Sequence, residues 1–115
     1  MVAIGTTRHR AGVTTLHIEH AITDYPTWRA AFDAFAEARR SFGVTAERVA
    51  QPRGEPEAIV VDLEFASTAE AAAFLEFLER EVWSSPSAAP ALVGRPRTTL
   101  LEPRDATVAN PPSPT

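Results

Sequence analysis

The chain has 115 residues, of which 44% are hydrophobic and 23% charged, and its formal net charge is −4. That length fits one domain and not two, and the negative charge opposes a nucleic-acid partner. The absence of cysteine excludes disulfides, thiolate metal sites, iron–sulfur clusters and cysteine nucleophiles. No apolar run approaches the roughly 20 residues that span a bilayer. Residues 1–12 carry Arg8, His9 and Arg10 but no apolar stretch of the secretory kind, so they read as an N-terminal extension and the expected location is cytoplasmic.

Val13–Ile22 reads as the first strand. Leu16, Ile18 and His20 fall on one face, and Thr15, His17 and Glu19 on the other. Asp24 is the predicted N-cap of the first helix, with Pro26 in its first turn, where the missing N–H costs nothing. Trp28, Ala31, Phe32, Phe35, Arg39 and Phe42 then recur at the spacing of one continuous helical stripe, with Arg39 near its end. Gly43 is expected to close the helix in a left-handed conformation. Val44–Arg53 is a second, weakly patterned strand, and 54–57 is a turn.

Ala58–Phe65 has the clearest alternation in the chain, with Ile59, Val61, Leu63 and Phe65 on one face and Val60, Asp62 and Glu64 on the other. Ser67 and Glu70 form a capping box for a second helix, whose buried stripe is Ala71, Phe74, Leu75, Leu78 and Val82. Ser84–Gly94 is rich in Pro and small residues and reads as a loop; Arg97–Glu102 is the last strand. Asp105–Thr115 has too few bulky apolar residues to offset its ordering entropy and reads as a disordered tail. This leaves 13–104 as the folded domain. The order β-α-β-β-α-β is the split βαβ pattern, a ferredoxin-like α+β fold with a four-stranded antiparallel sheet and both helices on one face. The other sheet face is mixed in character, with Val60 among acids, His17 and Thr15.

The run from His20 through Asp24, Tyr25, Trp28, Arg29, Phe32 and Asp33 resembles small bacterial proteins of the dimeric α+β barrel superfamily, which includes antibiotic-biosynthesis-monooxygenase-like and cyclase-like proteins. The resemblance spans Val13 to Glu102. It implies a homodimer, two sheets packed face to face as a barrel, and a pocket in each subunit between sheet and helices. Haem-degrading members place an asparagine near that pocket. Here the only asparagine is Asn110, in the tail, so haem degradation is not expected.

His20 is the candidate catalytic residue. A partly desolvated imidazole near a helix N-terminus is biased towards neutral and can accept a proton; the alternative is a structural histidine bonded to a loop carbonyl. Tyr25, Trp28, Phe32 and Trp83 are candidate substrate-binding residues for a planar, aromatic ligand, although aromatics at helical spacing equally build a core. Trp83 is either a lid anchor, part of a dimer contact or the end of the core. Arg48 is a candidate anion contact, on a face that the weak patterning of its strand leaves open. His17, Glu19, Asp62 and Glu64 share the opposite sheet face; a metal site there is a minor alternative to a hydrogen-bonded or plain surface, and no metal is expected. No dinucleotide, phosphate-loop or nucleophile-elbow motif is present. The function expected is that of a small-molecule enzyme of bacterial secondary metabolism, monooxygenase-like or cyclase-like, acting on an aromatic or polyketide-type substrate without a bound cofactor. The alternative is a non-catalytic ligand-binding or structural homodimer.

Overall fold

The structure, a computed structural model, describes residues 13–105. The N-terminal extension and the tail beyond Asp105 lie outside the described residues. The elements are β1 (Thr14–Ile22), α1 (Tyr25–Ala34), α2 (Ala36–Ser41), β2 (Val44–Ala50), β3 (Ala58–Phe65), α3 (Thr68–Phe77), a π-helical turn (Leu78–Val82) and β4 (Leu92–Leu101). The four strands form one antiparallel sheet in the order β2-β3-β1-β4. This is the ferredoxin-like arrangement that the sequence predicts, with the helices on one face.

The core lies between that face and the helices. Leu16 and Ile18 of β1 and Ile59, Val61, Leu63 and Phe65 of β3 are buried against Trp28, Phe74 and Leu78. Alternation decides this: residues two apart along a strand share a face, so Ile59, Val61, Leu63 and Phe65 of β3 all meet the helices. Asp24 caps α1 by accepting from the Thr27 amide at 2.8 Å, and Ser67 caps α3 by accepting from the Glu70 amide at 3.2 Å. Gly43 has φ +99°, the left-handed conformation expected of it.

The structure corrects the expected elements in four places. The first helix is broken at Phe35 rather than continuous. The Phe32 carbonyl, which would accept from residue 36 in an unbroken helix, accepts instead from the Phe35 amide at 3.1 Å and from Arg39 Nη1 at 2.6 Å. β2 ends at Ala50, not Arg53, because Pro52 cannot continue the ladder. The second helix ends in a π-turn, in which the Trp83 amide donates to the Leu78 carbonyl at 2.7 Å.

The last strand begins at Leu92 rather than Arg97, so the expected loop is shorter. Between the pairs Glu19↔Arg97 and Ala21↔Val93, three residues of β4 stand opposite one residue of β1. Gly94, with φ +74°, and Pro96, which lacks an N–H, form this bulge. The small residues and prolines of 84–94 made the segment look like a loop.

Candidate functional site

The single residue opposite the β4 bulge is His20. On its other side it pairs in register with Ile59. A bulge re-aims the side chains around it, and the half-buried imidazole stands on the wall of a half-open cavity lined by the sheet, the helices, the π-turn and the segment before β4. His20 Nδ1 lies 3.2 Å from the Ala21 carbonyl. A carbonyl only accepts, so Nδ1 carries the proton and Nε2 keeps a free lone pair. Burial lowers the pKa of His20 below its ordinary 6.5, against a smaller opposing effect of the Ala21 carbonyl. The result is a neutral imidazole with a basic nitrogen.

The rest of the wall is almost wholly apolar. Trp28 and Phe32 stack at 4.8 Å between centroids with 21° between planes. Trp83 and Leu92 close the end nearest β4. The cavity volume is about 80 Å³. That is well under the roughly 300 Å³ of a site for a drug-sized ligand, and under the roughly 150 Å³ of a cavity that holds benzene. Trp83 and Leu92 also line a neighbouring cleft of about 350 Å³, bounded by Glu79 and the bulge residues Gly94, Arg95 and Pro96.

Of the residues predicted from the sequence, the structure brings His20, Trp28, Phe32 and Trp83 together on this wall. Tyr25 stands apart: it is 37% exposed and touches Trp28 at 5.9 Å without lining the cavity. Arg48 is on the opposite sheet face, paired in register with Asp62 and exposed. Sequence reasoning missed Arg39. Its side chain is 6% exposed, lines the cavity and lies 3.6 Å over the Phe32 ring centroid. Arg39 Nε donates to Glu47 Oε2 at 2.9 Å. The signal was present as a cation in an apolar stripe, but its partners, the Phe32 carbonyl and Glu47 of the next strand, are invisible to periodicity.

On the far side of the sheet, His17 Nε2 lies 2.8 Å from Glu19 and Nδ1 2.6 Å from Asp62. Both ring nitrogens donate when both carboxylates are ionised, and these two bonds, Glu19's first, raise the pKa of His17. Arg97 stands 3.6 Å from Glu19. Among the described residues no group of three or more His, Cys, Asp or Glu is placed to hold a metal ion. Val93 and Leu101, each 46% exposed, and half-buried Val60 add apolar surface to this face.

The architecture is a ferredoxin-like α+β fold, shared with solved structures of dimeric ferredoxin-like proteins and of monooxygenases. Particular solved structures share it. A dimeric ferredoxin-like protein from an uncultured marine organism aligns with a TM-score of 0.59 at 14% identity, covering 83% of this chain and 98% of that one. The monooxygenase from the gene ActVA-Orf6 of Streptomyces coelicolor, solved with nanaomycin D, aligns with a TM-score of 0.58 at 17% identity, covering 88% and 95%. SnoaB, a cofactor-independent oxygenase from Streptomyces nogalater, aligns with a TM-score of 0.55 at 14% identity, covering 84% and 97%. At these identities the likeness establishes the fold. No protein-family model and no curated protein matches the sequence.

Proposed function

We propose that this protein is a small-molecule enzyme, monooxygenase-like or cyclase-like, in which His20 abstracts a proton from an aromatic or polyketide-type substrate without a bound cofactor. The observation that carries this reading is the neutral, partly buried His20, whose Nε2 is left basic by the Nδ1 bond to the Ala21 carbonyl, on the wall of an aromatic cavity. Deprotonation of an acidic C–H gives a carbanion. In a cyclisation the carbanion attacks a carbonyl of the same substrate, and the new alkoxide takes the proton back from His20. In an oxygenation it gives one electron to O₂, and the resulting radicals join as a peroxide. Loss of the second C–H proton and cleavage of the O–O bond leave a ketone and hydroxide, which takes up the His20 proton as water. Apolar walls exclude solvent from these charged species.

The reading includes a homodimer joined through the sheet face of His17, Asp62, Val60 and Leu101, where apolar residues lie uncovered among paired charges. The structural relatives that are dimeric or act as oxygenases support it.

The volume of about 80 Å³ favours a second reading, a non-catalytic homodimer that is structural or binds a ligand without turning it over. Turnover separates the two. The wild-type protein should consume O₂ or cyclise an anthrone or polyketide-like phenol, and His20→Ala should lose about two to four decades of that rate. Turnover unchanged by His20→Ala would sink the mechanism.

A further inference from the structure

Arg39 has no work in the mechanism above, yet its placement is specific. A buried guanidinium needs its N–H groups satisfied, and the fold supplies partners for three of the five: Nε with Glu47 Oε2 at 2.9 Å, Nη1 with the Phe32 carbonyl at 2.6 Å, and a longer contact from Nη2 to Glu47 Oε1 at 3.5 Å. One N–H on each of Nη1 and Nη2 remains beyond these bonds. The guanidinium packs on Phe32, itself a wall residue. The two ends of the ion pair are unequally wet: the Arg39 side chain is 6% exposed and that of Glu47 is 39% exposed. Solvent screens the carboxylate more than the guanidinium, so the pair leaves a positive field on the cavity side. No carboxylate lines the cavity among the described residues, and the only other ionisable group on the wall, His20, is held neutral.

We propose that Arg39 is the specificity-determining cation of this cavity, and that the ligand it selects is an aromatic molecule carrying an anionic oxygen, a carboxylate or a phenolate. The proposal rests on the aromatic-substrate reading and adds the charge state. Stacked Trp28 and Phe32 offer an aromatic wall against which a ring is held in part, the rest of it projecting through the open side of the cavity, and the N–H groups of the guanidinium beyond its protein bonds offer donors for the oxygen. In an apolar cavity a charge-assisted bond of this kind discriminates strongly against a neutral isostere, because the half-exposed Glu47 compensates the cation only in part and no carboxylate lines the wall.

Benzoate and benzamide test this, since they share a ring and a shape and differ in charge. Both are titrated into the full chain by calorimetry. The wild type should prefer benzoate by about tenfold or more. Arg39→Met should abolish the preference while retaining the benzamide affinity. Glu47→Gln keeps a bonding partner for Arg39 but removes the compensating charge, so it should raise the preference several-fold. If Arg39→Met fails to fold, Glu47→Gln decides: a purely structural ion pair changes the melting temperature and leaves the benzoate-to-benzamide ratio at its wild-type value, which overturns the proposal. Equal affinity for the two ligands in the wild type overturns the role of Arg39 and leaves the aromatic reading standing. Binding of neither at millimolar concentration overturns both.

Discussion

Replacing Trp83 with Ala tests whether the cavity is a site that one side chain keeps small. Trp83 stands between the cavity of about 80 Å³ and the adjoining cleft of about 350 Å³, with Leu92 as the other shared wall. Without the indole the two spaces join, and the combined volume passes the roughly 300 Å³ at which larger ligands are held. Truncating a fully buried Trp costs about 3–5 kcal/mol. Trp83 is half-buried and makes none of the ring contacts that Trp28 or Phe74 make, so about 2 kcal/mol is expected, a fall of about 10 °C in melting temperature. Against that loss, a two-ring acid should gain. The extra ring of 2-naphthoate over benzoate adds four carbons, worth up to about 3 kcal/mol if wholly buried. An increase of about tenfold in 2-naphthoate affinity over the wild type is therefore expected, with benzoate little changed. Calorimetric titration of both acids into both proteins reads this directly. Equal 2-naphthoate affinity in the two proteins, or a melting temperature unmoved by the substitution, would refute the idea that the indole walls the cavity.

Three other outcomes follow from the geometry. Gly43→Ala should cost about 1–2 kcal/mol, because φ is +99° and the new Cβ would lie 3.0 Å from Glu70 Oε2; an unchanged melting temperature would refute this. His17 and His20 should drive stability in opposite directions with pH. Glu19 and Asp62 raise His17 above 6.5, so its contribution is full below pH 6.5 and is lost as pH rises through its folded-state value. Burial lowers His20 below 6.5, so its contribution is full above pH 6.5 and is lost as pH falls through its folded-state value. In urea titrations at about pH 5.5 and 8, His17→Gln should cost most at the lower pH. His20→Gln should compare best with wild type there. Each slope is bounded by about 1.4 kcal/mol per pH unit, and that of His17 lies well below the bound because solvent screens it; slopes of equal sign would show that the assignment is wrong. For assembly, the wild type should sediment as a dimer at micromolar concentration and Val60→Asp should shift it towards monomer; a dimer indifferent to that change uses another surface.

Much of the fold was legible because it follows from alternation and capping. The pattern of β3 from Ile59 to Phe65, the caps Asp24 and Ser67 and the left-handed Gly43 are all local consequences of side-chain chemistry. His20, Trp28, Phe32 and Trp83 were legible as candidates because they are unusual or bulky residues on faces that alternation and periodicity define. What escaped is non-local. The break at Phe35 coincides with the bond from Arg39 to the Phe32 carbonyl, and the early start of β4 goes with a bulge opposite β1 that contains Gly94 and Pro96. Arg48 could not be placed because β2 alternates poorly and its pairing with β3 shifts between Val44 and Ala46. A single-residue shift of register exchanges the faces of a strand.

Three of the irregularities among the described residues meet at one place. At the helix break Arg39 bonds the Phe32 carbonyl, at the π-turn the Trp83 amide bonds the Leu78 carbonyl, and the β4 bulge leaves His20 without one of its two strand partners; all three side chains line the cavity. Each departs from the regular geometry that local sequence would otherwise favour, and each costs stability that a pure packing solution need not give up. π-turns and bulges recur beside functional sites because they re-aim particular side chains. A structural dimer would need a filled core here, and straight elements with Leu or Ile at positions 20 and 39 would fill it. The chain instead places a neutral imidazole and a buried guanidinium on one apolar wall, leaving both with bonding capacity turned to no protein partner. Sequences are locally consistent except where function demands otherwise. The convergence of three exceptions on one cavity therefore argues for a site that binds a ligand over a packing void, despite the small volume.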